Sequence, residues 1–208
     1  MDNVKTFNAD PKRLLRKAAA KGPIAHVGSL INKDDATQAE VDRMRSKWSW
    51  FGDEYVGIDL FAGLNVEVQA DLTDADLFAK HPDLEGHFGI VICSALLEHV
   101  RDPFAAARNI SRLLRPGGHL YFAGPWVWGY HPYPSDFWRI SFEGLQVLFP
   151  DVEFKDWWYG GTRKNVGMRL KDASGERKAF RLDNPDGIVA DRAMSYLNVC
   201  ALGVKKAD

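Results

Sequence analysis

His99, His131 and Asp136 carry the side chains in this sequence best suited to taking a proton from an acceptor hydroxyl. An unperturbed imidazole titrates near neutral pH, and a base of that strength suits proton removal at physiological pH. The segment around the last two is rich in rings. Trp126, Trp128, Tyr130, Tyr133 and Trp138 offer flat apolar surface with polar tips, as sugar or aromatic substrates require, and Arg139 is placed to pair with a substrate anion or with Asp136. Glu98, beside His99, reads as a structural hydrogen-bond acceptor. His26, His99, His131 and the nearby acids match no standard ligand spacing, so no metal is expected.

These residues need elements to hold them. Phe88 to Cys93 is a short, β-branched apolar run, the pattern of a strand covered on both faces. Asp102-Pro103 is a cap followed by a proline that needs no N–H partner, and Phe104, Ala107, Ile110, Leu113 and Leu114 then recur at helical spacing. Pro116-Gly117-Gly118 ends that helix, and His119 to Phe122 starts a second strand. A strand, helix and strand in this order form a right-handed crossover between parallel strands. Further strands are expected at Ile24–Val27, Tyr55–Leu60, Val66–Ala70, Val152–Tyr159 and Tyr196–Val204, and helices after Asp10, Asn32 and Ser141.

The alternation gives an α/β fold, a doubly wound and mostly parallel sheet with helices on both faces. One domain over 1–208 is expected, with a basic helical extension over 1–22, an aromatic loop over 123–140 and a polar insertion over 160–195. A net charge of −1 gives no long-range attraction for nucleic acid or an anionic membrane. The two cysteines, Cys93 and Cys200, fall in apolar runs, so they read as small buried hydrophobes in a reducing compartment. With no apolar run long enough to span a bilayer, the expected location is the cytoplasm.

In such sheets a ligand binds beyond the carboxyl ends of the strands. There the chain carries Gly28-Ser29, Asp59-Leu60, Asp71-Leu72 and Ser94-Ala95-Leu96. At this point FGIVICSALLEHVRDPFAAARNISRLLRPGG, followed by HPYPSDFWRIS, resembles class I S-adenosylmethionine-dependent methyltransferases of the type 11-like subgroup. The resemblance implies a Rossmann-like sheet of seven strands with S-adenosylmethionine as cofactor. It also implies roles: Asp59 for the ribose hydroxyls, Asp71 for the adenine amino group with Leu72 beside the ring, and Ser94, Ala95 and Leu96 along the thioether arm. Where the family reads ExGxGxG, this chain has Ala25-His26-Val27-Gly28-Ser29-Leu30, keeping one glycine.

The function expected is methyl transfer to a small acceptor, through a hydroxyl of a sugar, glycan or secondary metabolite. The alternative is a methyltransferase-like fold that binds cofactor poorly and serves as a binding or regulatory subunit. The partners expected are a small-molecule or glycan acceptor and neither nucleic acid nor membrane; the reading allows a homodimer.

Overall fold

A computed structural model describes residues 4–31, 35–52, 54–161, 166–170 and 196–207. Its strands are β1 (Val4–Asn8), β2 (Ile24–Val27), β3 (Tyr55–Asp59), β4 (Val68–Gln69), β5 (Phe88–Ser94), β6 (Leu114–Val127), β7 (Val152–Gly160), β8 (Val166–Leu170) and β9 (Leu197–Lys205). The helices are α1 (Pro11–Lys17), α2 (Gln38–Ser46), α3 (Leu77–Lys80), α4 (Pro103–Leu113) and α5 (Phe142–Leu148).

The nine strands among the described residues share one sheet in the order β1-β8-β7-β9-β6-β5-β2-β3-β4. From β4 to β6 the pairing is parallel, and from β6 to β1 it is antiparallel. The seven strands from β7 to β4 are the expected Rossmann-like sheet. Two more extend it, which corrects the reading of 1–22 as helical: β1 precedes α1, and α1 stops at Lys17 because Ala19 turns left-handed at φ 55°. Val4–Asn8 carries little local strand signal, since its partner β8 comes from the far end of the sequence. Within the 160–195 insertion, β8 is a strand and most of the remainder lies outside the described residues.

β5 is buried along both faces, as its sequence demands. Val91 and Cys93 meet Ala106, Ala107, Ile110 and Leu113 of α4, whereas Ile90 and Ile92 meet Leu15 of α1, Phe51 and Trp158. Each fully buried Ile or Leu contributes roughly 1.5–3 kcal/mol. α4 begins where expected, with Asp102 accepting from the Ala105 N–H at 2.9 Å and Pro103 following. Phe104 departs from the expected apolar stripe: it is 50% exposed, off the arc centred on the four buried residues. β2 has β3 on one side and β5 on the other, so the chain reverses direction across the sheet there, and a crevice opens at the carboxyl ends.

Candidate active site

That crevice is a cavity of about 360 Å³, in the range of small-molecule sites. Gly28, Asp59, Leu60, Asp71, Leu72, Ala95 and Leu96 line it, together with His99 and Tyr133. The expected cofactor residues therefore converge, with two exceptions. Ser94 ends β5 without lining the cavity, and Ser29 is 3% exposed, with its hydroxyl donated to the Asn65 carbonyl at 2.8 Å. Asn65 returns a bond from its amide to the Ser29 carbonyl at 2.9 Å, so Ser29 fastens the loop and has no free hydroxyl for a ligand.

The loop after β2 is held by backbone geometry. Gly28 has φ +70°, and a Cβ there would sit 3.1 Å from Leu96 Cδ1. Leu96 is brought over it by Ala95, itself left-handed at φ 50° and anchored by its N–H to the Ala123 carbonyl at 2.9 Å. Leu30 donates its N–H to Asp59 Oδ2 at 3.0 Å, and Phe61 donates to Asp59 Oδ1 at 3.1 Å. A carboxylate offers about four lone-pair sites, so both Asp59 oxygens keep capacity toward the cavity. Asp71 Oδ1 accepts from both the N–H and the hydroxyl of Thr73, at 2.8 and 2.7 Å, an Asx turn that orients the side chain at the cavity wall. The residues present thus suit a ligand with an adjacent pair of hydroxyls and an apolar ring.

A network of polar side chains joining α2 to β2, β3 and the turn before β4 has no signal in the sequence. Arg45 of α2 donates to Asn65 Oδ1 at 2.7 Å and to both Glu67 oxygens at 2.7 and 2.9 Å, and its guanidinium lies 4.9 Å over the Tyr55 ring. Glu67 in turn accepts from the Gly57 N–H at 2.7 Å. His26 Nδ1 lies 2.6 Å from the Tyr55 hydroxyl, and burial pushes the histidine down to about 4 and the tyrosine up to about 12.

On the other rim, the loop from Trp128 to Arg139 folds back over the turn Leu97–His99. The Phe137 and Trp138 N–H groups donate to the Glu98 carbonyl at 2.7 and 3.3 Å, and the Trp138 indole donates to the Val100 carbonyl at 2.8 Å. Asp136, its side chain 1% exposed, is gripped by Arg139 through two bonds of 2.5 and 2.8 Å, and it accepts from the His131 N–H at 3.0 Å. The guanidinium holds the Asp136 carboxyl well below the usual range. Of the two roles open to Arg139, the pair with Asp136 is the one formed, and it fixes the loop.

The aromatic residues disperse. Tyr133 lines the cavity; Trp126 belongs to β6 and packs on the core, so the strand runs into the segment expected to be loop from 123. Trp128 meets Tyr196 with ring centroids 4.5 Å apart, and Tyr130 is 77% exposed. Phe61, Thr73, Val100, Arg101 and Pro134 also line the cavity, though nothing in their sequence context marks them.

His99 donates from Nδ1 to the Ser135 carbonyl at 2.6 Å, and His131 from Nδ1 to the Gly129 carbonyl at 3.1 Å. A carbonyl only accepts, so the hydrogen-bond network assigns the proton of each neutral ring to Nδ1 and leaves Nε2 with a lone pair. Both Nε2 atoms face Glu98 Oε1, at 3.8 and 4.0 Å. Glu98 is 2% exposed and neither of its carboxylate oxygens has a hydrogen-bond partner among the described residues, which corrects its reading as a structural acceptor: the backbone carbonyl plays that part. Burial raises the Glu98 carboxyl above its ordinary value, although His99, His131 and Arg139 oppose the shift.

Comparison with known proteins gives this cleft a context. A family described as "Methyltransferase domain" matches residues 9–167. The ubiquinone biosynthesis O-methyltransferase of Ralstonia nicotianae is 39% identical over 64 residues, a stretch that covers 31% of this chain and only 25% of that relative. The YcgJ protein of a Bacillus species superimposes with a TM-score of 0.57 at 13% identity, covering 95% of this chain and 98% of that one. A Burkholderia thailandensis 1,6-didemethyltoxoflavin-N1-methyltransferase, crystallised with its substrate and S-adenosylhomocysteine, superimposes at a TM-score of 0.52 and 12% identity, over 94% of this chain and 76% of that one. At such identities the likeness is one of fold. Among the described residues no helix is long and apolar enough to cross a membrane.

Proposed function

This chain belongs to the family of methyltransferase domains, and from that premise we propose that it transfers the methyl group of S-adenosylmethionine to a hydroxyl of a small acceptor such as a sugar, glycan or secondary metabolite. The observation that carries the reading is the convergence of Asp59, Asp71, Gly28 and Leu96 with His99 and Tyr133 on one cavity. Asp59 would accept from the ribose hydroxyls with the lone pairs that Leu30 and Phe61 leave it. Leu60 and Leu72 would lie beside the adenine, and Asp71 would accept from its amino group. Gly28 and the Leu96 packed on it line the part of the cavity left for the methionine arm.

The cofactor supplies an electrophilic methyl on a sulfonium, so the protein has to align the acceptor, exclude water and remove one proton. Tyr133, at the cavity rim, gives the acceptor a flat surface. The proton is received among Glu98, His99 and His131, where two imidazole lone pairs converge. His99 is the member that lines the cavity. Asp136 acts through Arg139 and His131 as a positioning residue.

The alternative, a binding or regulatory subunit that holds cofactor poorly or not at all, would be favoured by Leu30 or the loop from Asn32 to Asp35 filling the pocket. Leu30 lines the cavity and reaches toward Gly63, where a Cβ would come within 2.5 Å of Leu30 Cδ1, and about 360 Å³ remains; residues 32–34 lie outside the described residues. Calorimetric titration with S-adenosylmethionine tests the proposal. Saturable one-to-one binding supports it, and no heat at millimolar cofactor rejects it.

A further inference from the structure

We infer that Glu98, His99 and His131 form a binding site for a divalent transition-metal ion, with the open coordination positions facing the methyl-transfer cavity. The argument begins with a cost. A buried carboxylate without hydrogen bonds is unfavourable unless a cation lies beside it. With both rings neutral, each imidazole N–H is spent on a backbone carbonyl, of Ser135 and of Gly129, and turns no proton to Glu98. In that state two Nε2 lone pairs face Glu98 Oε1, at 3.8 and 4.0 Å. With the carboxylate ionised, this set of three electron-pair donors is one that a shared cation would stabilise. Their ligand atoms lie within 4.8 Å of one another.

Metal bonds of about 2.0–2.2 Å would bring nitrogen and carboxylate donors to about 3.0–3.5 Å apart. The gaps from Glu98 need a contraction of about 0.3–1.0 Å, within the reach of side-chain rotations. The surroundings are already those of ligating histidines. Each ring is fixed in its tautomer by a backbone carbonyl, and His131 Nδ1 also lies 3.4 Å from Asp136 Oδ2. Two imidazoles and one carboxylate favour Zn²⁺, Fe²⁺, Co²⁺ or Mn²⁺ over Ca²⁺ or Mg²⁺. The sequence concealed the set because its third member arrives on the loop that folds back over the first two.

The site deepens the methyl-transfer reading and, for its role, rests on it. With an ion bound, the two Nε2 lone pairs would be engaged by it in place of taking the proton themselves, and an acceptor hydroxyl on the ion would lose its proton to solvent. Its oxygen would then form the new bond to the methyl carbon as the carbon–sulfur bond breaks, with that electron pair returning to sulfur. Binding of the metal itself requires none of this.

The test uses tag-free full-length protein, stripped with a chelator and exchanged into metal-free buffer. ZnCl₂ is titrated calorimetrically, and CoCl₂ is followed by its visible d–d absorption. The expected result is one ion per chain, weakened at least about tenfold in both Glu98→Gln and His131→Ala. His87→Ala, altering a surface pair with Glu54, should bind as the parent does. Absence of saturable one-to-one binding overturns the inference, as does equal affinity in the parent, Glu98→Gln and His131→Ala. Titration of the same Glu98→Gln sample with S-adenosylmethionine separates the two readings: cofactor binding retained with metal binding lost supports both. Metal binding with no cofactor binding by the parent would reject the proposed function and leave the metal site standing.

Discussion

Leu30 and Asp59 are joined by a 3.0 Å bond from the backbone N–H of one to the carboxylate of the other. Through it the loop after β2, which keeps one glycine of the usual motif, is fastened to the end of β3. One side chain thereby both shapes the loop after β2 and lines the cavity. Its two duties make it the residue whose loss should be felt most in affinity.

Asp59→Ala removes the carboxylate proposed to accept from the ribose hydroxyls and releases Leu30. A hydrogen bond to a charged group is worth about 1.5–3 kcal/mol, so S-adenosylmethionine affinity should fall by about 10- to 150-fold. His131→Ala, off the cavity lining, should leave that affinity nearly unchanged and slow turnover instead. Calorimetry on both variants decides; equal losses would show that the cleft is assigned wrongly.

His26 makes stability depend on pH. Its folded value is about 4 against an ordinary 6.5, so the unfolded chain binds more protons between those limits. Stability should fall as pH drops from about 6.5 to about 4, by at most about 3.4 kcal/mol at 1.36 kcal/mol per unit, and this group should add no slope outside that window. In urea titrations from pH 7 to 4, His26→Gln should lose part of the acid slope. Parallel curves for parent and variant would reject a buried neutral histidine.

Gly57 has no room for a side chain. A Cβ would lie 1.8 Å from the Asn65 carbonyl oxygen and 2.6 Å from Ser29 Oγ. Gly57→Ala should cost about 3 kcal/mol or more, because backbone has to move. Gly86→Ala, with φ +64° but nothing within 4 Å, should cost only about 1–2 kcal/mol. Denaturant midpoints of the two variants check the ordering.

Asp136→Asn leaves Arg139 without its charged partner. Loss of a buried pair costs about 3–5 kcal/mol, and with Arg139 28% exposed about 2 kcal/mol is expected. The Asp136 value lies below the ordinary 3.8, so the pair's contribution is present above pH 3.8 and is lost as pH falls below it. Protease cleavage within 128–139 should accelerate, and unchanged cleavage would count against the pair as the loop's clamp.

The parts of the fold legible in the sequence were those with local causes. β5, α4 and β6 follow from an apolar run, a capped helix and a glycine stop, all contiguous. β1 has no local signature because its partner is remote, and Trp126 reads as loop because β9, which backs β6 there, comes later in the chain. The site divides the same way. Strand ends point to Gly28, Asp59 and Asp71, whereas Ser29 reads as equally suited although Asn65, delivered by a separate turn, takes its hydroxyl. Glu98 is illegible for a related reason: which groups surround a carboxylate depends on where residues 129–139 fold, and no local pattern encodes that.

The order of strands also bears on assembly. β9 follows both of its neighbours in sequence, yet its hydrogen bonds join β6 to β7. Until it arrives, the sheet consists of two unjoined pieces. A nascent chain halted before Leu197 would display two open edges, β6 and β7, with Phe122 and Trp158 deprived of part of their cover. Such edges invite pairing with other chains. Synthesis of β9, rather than early collapse, is then the point at which these two edges are covered, and long-range closure of that kind is slow.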